Sequence, residues 1–258
     1  MTNKEKSTIQ EQLAALYLRL NGYFTTGYII HSDEKEIEGE IDIVAVRFPL
    51  HKQDDTEHNS SNFLELSSNI DIIIAEVKSI GKPLQFNDCL KQRGSLEPLQ
   101  KLLRWTGFFS DNNIDDIAIE LNILVQPVEN SQLKNFRSTK VLETNFGNVK
   151  IRPILFSPER NNINNTDKFI NWTEINDFIW LCLCPADVRA KCGTRYDFTA
   201  WGQGFNEIVK AYKDRQRNQK KFATITELYQ DIENLRKKYG ISKDEADSIS
   251  GLTEVIEH

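Results

Sequence analysis

The sequence predicts an α/β fold in which a central mixed β-sheet is flanked by helices and followed by a C-terminal helical part. Short runs rich in Ile and Val, each bounded by polar residues, recur in the first part of the chain and are typical of buried strands. Apolar residues at helical spacing precede and separate these runs, and after residue 157 helical patterns dominate. We therefore divide the chain into a core over 1–157 and a helical extension over 158–258, packed on or next to it.

The composition bounds the class of protein. Of the 258 residues, 39% are hydrophobic and 27% are charged, which is enough for one sizeable core. No apolar run reaches membrane-spanning length and the N-terminus lacks the apolar core of a secretory signal, so we expect a cytoplasmic protein with no membrane partner. The cysteines favour reduced thiols, although Cys182, Cys184 and Cys192 leave a zinc site as an alternative. The net charge of −6 argues against a uniformly basic nucleic-acid surface, so any such surface is regional.

The first predicted element is an amphipathic helix over 7–20, which Ser7 or Thr8 would cap and Asn21-Gly22 would end. Glu11 then stands where a capping-box partner is expected.

Two strands follow, over 23–30 and 36–48. In the second, alternating acidic residues give way to apolar ones, which places Asp42 where the strand becomes buried. Glu38 and Glu40 share its face and are either solvated or widen a site there.

A third strand over 70–79 is apolar until Glu76 and Lys78, which point to one face because they are two residues apart. Burying these charges costs several kcal/mol unless they are compensated. Either a buried Glu–Lys ion pair satisfies both groups, or a divalent metal ion joins them. If the strands of Asp42 and Glu76 pair, the three side chains converge.

This pattern, Asp42 followed by Glu76-Val77-Lys78 on the next strand, resembles the PD-(D/E)XK, or restriction-endonuclease-like, nuclease superfamily, with Ile41-Asp42 where some members have Pro-Asp. The resemblance implies that Asp42 and Glu76 hold Mg²⁺ or Mn²⁺, that Lys78 positions or activates the attacking water, and that Glu11 reaches the metal from the N-terminal helix. Such an ion prefers oxygen ligands and makes its bound water easier to deprotonate.

The interval between Asp42 and Glu76, 76 − 42 = 34 residues, is longer than a hairpin needs. Its middle has almost no apolar content, so we predict an exposed insertion over 50–69. His51 and His58 are then solvated loop residues. Shortening the insertion should leave the core folded.

A helical region is predicted over 82–109, broken at Gly94 and Pro98. Gln100 and Arg104 lie one turn apart in it. This resembles the Gln-x-x-x-Tyr element of RecB-type members with Arg104 in place of the Tyr, which implies a site role for Gln100 and a phosphate contact for Arg104. The alternative is a polar outer face.

The remaining predicted strands lie over 118–126 and 148–156, with a helix or loop near 131–136. A polar linker over 161–166 leads to helices over 173–183, 199–221 and 224–239, the last with a capping box. The aromatic residues of this part indicate either a small core or a surface for bases, the core being favoured: Trp172, Phe178, Trp180, Tyr196, Phe198 and Trp201.

Residues 210–221 hold six cations and one acid in an otherwise acidic chain. They form either a solvated helix or the surface that meets a phosphate backbone. The cations are Lys210, Lys213, Arg215, Arg217, Lys220 and Lys221.

The leading functional hypothesis is a Mg²⁺-dependent nuclease that hydrolyses phosphodiester bonds, with DNA as the expected substrate, in restriction, repair or anti-phage defence. The alternative is a nuclease-like nucleic-acid-binding or scaffolding subunit that is inactive, or active only with a protein partner in a complex.

Overall fold

The computed structural model describes residues 1–31, 36–49, 51, 61–91, 95–126, 140–161, 169–185 and 203–239. Several predicted features lie outside these ranges: residues 50 and 52–60 of the insertion with His58, the segment 131–136, Cys192, Tyr196, Phe198 and Trp201. The prediction that the whole of 50–69 is exposed is wrong for its described part, because Leu64 is fully buried and Ser61 is only 8% exposed. His51, predicted to be solvated, is partly buried and stacks on the Phe24 ring. Among the described residues, no helix is long and apolar enough to cross a membrane.

The sheet is mixed, as predicted, and has six strands in the described residues. The strands are β1 (Phe24–His31), β2 (Ile37–Arg47), β3 (Ile70–Val77), β4 (Lys140–Thr144), β5 (Gly147–Ser157) and β6 (Ile170–Asn171). They run in the order β1-β2-β3-β5-β4, and β6 also pairs with β5. The β1–β2, β2–β3 and β4–β5 pairs are antiparallel, whereas β3–β5 and β5–β6 are parallel.

Helices cover both faces of this sheet. They are α1 (Asn3–Leu20), α2 (Asp88–Lys91), α3 (Glu97–Thr106), α4 (Asp111–Val125), α5 (Trp172–Leu183), α6 (Gln203–Gln216) and α7 (Ile225–Tyr239), with a 3-10 turn at Asn62–Leu64. On one face, α1, α5, α6 and α7 pack against the sheet in a first apolar cluster, and on the other face α2, α3 and α4 pack against it in a second. In strand β3, Ile73 belongs to the first cluster and Ile72 to the second, which explains its nearly continuous apolar run.

The prediction of a strand over 118–126 is wrong, because these residues belong to α4. The buried residues of α4 recur three or four positions apart, at Ile114, Ile117, Ala118, Leu121 and Val125. Its β-branched residues between them are exposed, Ile119 at 50% and Ile123 at 58%. The helical period therefore outweighs the strand propensity of a segment rich in Ile.

Strand β4 was not predicted from the sequence. It is five residues long, alternates between partly buried and exposed side chains, and joins β5 through a tight turn at Gly147, whose φ is +99°. Such a short edge strand leaves little hydrophobic signal in the sequence.

The first helix begins earlier than predicted. Thr2 is its N-cap and forms the capping box with Glu5, so neither Ser7 nor Thr8 caps it. Glu11 lies in the third turn, and its interpretation as a capping-box partner is wrong.

In the C-terminal part, the helices predicted over 173–183 and 224–239 are confirmed to within one residue. The helix predicted over 199–221 ends at Gln216 instead. Trp172 and Phe178 are buried in the first apolar cluster, which confirms the core interpretation for these two aromatic residues.

Candidate functional site

The candidate site forms where β2 and β3 separate. Their register runs from Arg47 opposite Asp71 to Ile43 opposite Ala75, and Asp42 and Glu76 come next on the two strands. Beyond this point β2 still pairs with β1, and within the described ranges it no longer pairs with β3. The backbone N–H of Val77 donates to Oδ2 of Asp42 at 2.6 Å. The carboxylate thus replaces the backbone acceptor that the diverging strand no longer provides for Val77.

A β-bulge places Asp42 at this opening. Thr26 pairs with Val44 and Tyr28 with Ile41, so a single residue of β1, Gly27, lies opposite two residues of β2, Asp42 and Ile43. Bulges of this kind bend a strand and re-aim its side chains. The sequence gives no signal for the bulge beyond the glycine itself.

Glu76 is fully buried and only half satisfied. Its Oε2 accepts a hydrogen bond from Nζ of Lys78 at 2.8 Å, but its Oε1 is buried without a hydrogen-bond partner among the described residues. Burial, and secondly the Asp42 carboxylate, raise the pKa of Glu76 to about 8, although the Lys78 ammonium opposes the rise. The ion pair considered from the sequence therefore forms, yet it leaves one carboxylate oxygen uncompensated.

Lys78 is held from several sides just past the end of β3. Its Nζ also donates to Oδ1 of Asn87 at 2.5 Å, and Nδ2 of Asn87 donates to the Glu40 carbonyl at 3.3 Å. Its backbone N–H donates to the Phe156 carbonyl and its own carbonyl accepts from Oγ of Ser157. Asn87 was not identified from the sequence, because a polar residue before a short helix carries no distinctive pattern.

Glu11 approaches from α1. It lines an open cleft of about 200 Å³ together with Asp42, residues 25–27 of β1 and Gly204-Phe205 at the start of α6. Burial, and secondly the Asp42 carboxylate, raise the pKa of Glu11 to about 7, against a hydrogen bond from Oγ of Ser7 at 3.2 Å. The contribution of α6 to this cleft was also missed by sequence reasoning.

Asp42 is the central acid of the site, because its charge raises the pKa of both Glu11 and Glu76. Its own pKa is raised, chiefly by burial. Glu40 is exposed and adds a smaller contribution in the same direction at all three carboxyls. Within the described ranges, no three His, Cys, Asp or Glu side chains already form a metal-ligand group.

Gln100 and Arg104 are not brought to these acids. The amide of Gln100 donates to Oδ1 of Asp115 at 2.7 Å, and Nε of Arg104 lies 3.3 Å from Oδ1 of Asp111. Both contacts run from α3 to α4, which packs beside it. This placement agrees with the alternative of a polar outer face, and a site role for Gln100 and a phosphate contact for Arg104 stay predictions.

The basic run 210–221 does not form one free surface. Arg215 forms ion pairs with Glu227 at 2.7 Å and Asp231 at 2.6 Å, and its guanidinium lies 4.1 Å from the centroid of the Phe222 ring. Lys213 donates to the Leu183 carbonyl and Lys221 pairs with Asp177. Lys210 is half-buried, whereas Lys220 is exposed and Arg217 is 82% exposed beside Asp214.

We expect Arg215→Ala to lower the free energy of unfolding by roughly 2 kcal/mol, because it removes charged hydrogen bonds that join α6 to α7. The Arg217→Ala, Lys220→Ala double variant is the matched control and should keep wild-type stability. It should instead flatten the dependence of duplex binding on salt, by roughly 0.9 in log–log slope for each phosphate that is no longer neutralised. Urea unfolding and binding measured at several salt concentrations test both. An Arg215→Ala protein of unchanged stability would mean that Arg215 is not a structural residue.

The resemblance to PD-(D/E)XK nucleases rests on Asp42, Glu76 and Lys78. The structure places the two acids next to each other at the divergence of neighbouring strands, with Lys78 paired to Glu76. Glu11 lines the same cleft as Asp42, and the Asp42 charge raises its pKa. Comparison with protein-family models, with curated proteins and with solved structures found no match to this chain.

Proposed function

We propose that the chain is a divalent-metal-dependent nuclease with a restriction-endonuclease-like core. The observation that carries this proposal is the fully buried Glu76, whose Oε2 accepts from Lys78, whose Oε1 has no hydrogen-bond partner among the described residues, and whose neighbour is Asp42. We propose DNA as the substrate and restriction, repair or anti-phage defence as the setting.

A purely structural role does not account for Glu76. A buried carboxylate without full compensation costs several kcal/mol, and the nearby Asp42 adds to that cost. Mg²⁺ or Mn²⁺ between these carboxylates would offset both charges, and carboxylate oxygens are ligands that such ions prefer. Mg²⁺ usually keeps several waters and needs only one or two carboxylates besides substrate phosphates. Asp42 and Glu76 therefore fit the ion without a third protein ligand.

Each residue then has a distinct role. The bound ion would supply a polarised phosphate and a more acidic water. Lys78, fixed between Glu76 and Asn87, would hold its ammonium toward the negative charge that develops on the phosphate. Glu11, across the cleft from the strands, would accept a hydrogen bond from a water near Asp42. The intact set of Asp42, Glu76 and Lys78 disfavours the alternative of an inactive scaffolding subunit.

Cleavage by the isolated chain tests the proposal. Mg²⁺ or Mn²⁺ is titrated against supercoiled plasmid, linear duplex, single-stranded DNA and RNA, with EDTA and the Glu76→Gln variant as controls. We expect cleavage that needs the metal and Glu76. No cleavage of any of the four substrates with either metal would overturn the proposal for the isolated chain.

The metal-free protein is expected to lose stability as the pH rises. The pKa of Glu76 is about 8 in the fold against an ordinary 4.5, so the folded chain keeps a proton that the unfolded chain releases. This contribution is complete below about pH 4.5 and is lost as the pH rises through about 8. Glu11, with a pKa raised to about 7, acts in the same direction.

Urea unfolding in EDTA at about pH 6 and about pH 9 measures this effect. Glu76→Gln has no proton to lose, and we expect it to be more stable than the wild type at the higher pH, by on the order of 2 kcal/mol. Adding Mg²⁺ should stabilise the wild type there and leave the variant unchanged. Equal pH dependence in the two proteins would contradict an uncompensated carboxylate at this position.

A further inference from the structure

Aromatic side chains follow the edge strand β1; three of them are exposed, and His51 and Tyr28 are partly buried. Phe24 is 60% exposed and Phe48 is 45% exposed, with ring centroids 6.2 Å apart, and the His51 ring stacks on Phe24 at 4.9 Å and 14°. Farther along β1, Tyr28 lies 5.0 Å from the ring of Trp105, which is 50% exposed. We call these five residues the aromatic row.

The aromatic row follows β1, the strand that lies opposite Asp42. Phe24 pairs with Val46 and Tyr28 with Ile41, and both partners pack into the second apolar cluster, so Phe24 and Tyr28 lie on the same face of the sheet. They are four residues apart, roughly 13 Å along the strand. The bulge that holds Asp42 lies opposite β1 between them.

Cations accompany the rings. Arg47 donates to the His51 carbonyl at 3.3 Å, its Nε is buried without a hydrogen-bond partner, and the described part of the chain gives it no ion pair. At the other end, the Lys101 ammonium pairs with Glu97 at 2.5 Å, lies near the Tyr28 phenol and donates to the His31 carbonyl at 2.6 Å. Arg47 therefore brings to the Phe24 end of the row a positive charge that no carboxylate of the described residues pairs with, whereas Lys101 is already paired.

We propose that the aromatic row binds single-stranded nucleic acid by stacking on its bases, along the strand that lies opposite Asp42. This inference rests on the proposed function for the chemistry at Asp42. Rings with cations beside them suit a polymer that alternates flat bases and phosphates, and every base has a face that stacks. A duplex hides those faces. Lys213, Arg215 and Lys221 of the basic run are engaged within the chain, which reduces what that run can contribute to phosphate binding.

Binding is measured by fluorescence anisotropy in EDTA, so that no cleavage intervenes, with a labelled single strand of mixed sequence and with the same strand in a duplex. We expect the single strand to bind more tightly. Phe24→Ala and Trp105→Ala should each weaken its binding roughly tenfold, with an unchanged salt slope and unchanged duplex binding.

Matched variants identify the type of contact. Phe24→Tyr should retain binding and Phe24→Leu should lose it, because Leu is apolar but has no ring to stack on. Phe146→Ala is the control, since Phe146 is an equally exposed aromatic residue, at 65%, on the turn before β5 near the other edge of the sheet. Trp105 is on a separate element, so the test stands even if the Phe24 variants fold poorly.

Three outcomes would overturn the inference: wild-type binding in Phe24→Ala and Trp105→Ala, full binding in Phe24→Leu, or a changed oligomeric state in Phe24→Ala, which would make the row a contact between copies. The two proposals also fail separately. Ring-dependent binding without any cleavage would refute the nuclease and keep the row. If cleavage needs the metal and Glu76 but is unchanged in Phe24→Ala and Trp105→Ala, the proposed nuclease function stands and the proposed role of the aromatic row is refuted.

Discussion

Glu76→Gln, Asp42→Asn and Lys78→Ala are each expected to lower metal-dependent cleavage by at least about 100-fold without unfolding the chain. Asp42 and Glu76 would lose the charge that holds the ion, and Lys78 would lose the ammonium that faces the phosphate. The measurement is the initial rate of plasmid cleavage at saturating Mg²⁺. Circular dichroism and thermal unfolding show whether the fold is kept.

The three variants should differ in metal binding. Glu76→Gln and Asp42→Asn should no longer be stabilised by Mg²⁺, whereas Lys78→Ala should still be, because Lys78 is not a ligand in this proposal. Glu120→Gln is a matched control on α4, where Glu120 pairs with Lys140 at 2.8 Å, partly exposed. It should cleave at the wild-type rate. Wild-type cleavage by the Glu76→Gln protein would contradict the assignment of Glu76 to the site.

Local sequence was enough to find the centre of this site. Charges in an apolar strand are costly wherever the strand lies, so Glu76 and Lys78 could be identified without knowing their neighbours. Asp42 followed because consecutive antiparallel strands usually pair. The predicted insertion between them did not disturb the register of β2 and β3.

The parts of the site that were missed depend on distant chain segments. Asn87 reaches Lys78 only because the segment before α2 contacts β2, and α6 reaches the Glu11 cleft from the C-terminal part. The contact of Gln100 with α4 could not be predicted for a similar reason: its spacing from Arg104 defines a helix face but not what that face meets. No residue pattern within one segment carries such information.

Asp71 shows the same limit on β3 itself. It is as buried as Glu76, at the opposite end of the strand, and the sequence reasoning gave it no role. Its partner Arg152 is 81 residues away on β5, and parallel strands pair only through a long connection. Both carboxylates look alike in the sequence, and only their partners distinguish them.

Those partners satisfy Asp71 completely. Its two oxygens accept from Nε of Arg152 at 3.1 Å and from Nη2 of Arg152 at 2.6 Å, and the Tyr23 hydroxyl donates to Asp71 at 2.9 Å. Arg152 also donates to the Leu64 carbonyl at 2.6 Å. Removing one member of such a buried pair leaves the other charge uncompensated.

Asp71→Asn is therefore expected to lower the free energy of unfolding by about 3–5 kcal/mol, which is the largest stability change that we predict. Glu76→Gln should do the opposite in the metal-free protein at high pH, because it removes a charge whose Oε1 has no partner among the described residues. Urea unfolding of both variants in EDTA at about pH 9 compares them directly, and Asp71→Leu combined with Arg152→Met should recover much of the stability that Asp71→Asn removes. If both single variants were destabilised alike, Glu76 would be a structural charge like Asp71, and a metal ion at Asp42 would no longer be needed to explain its burial.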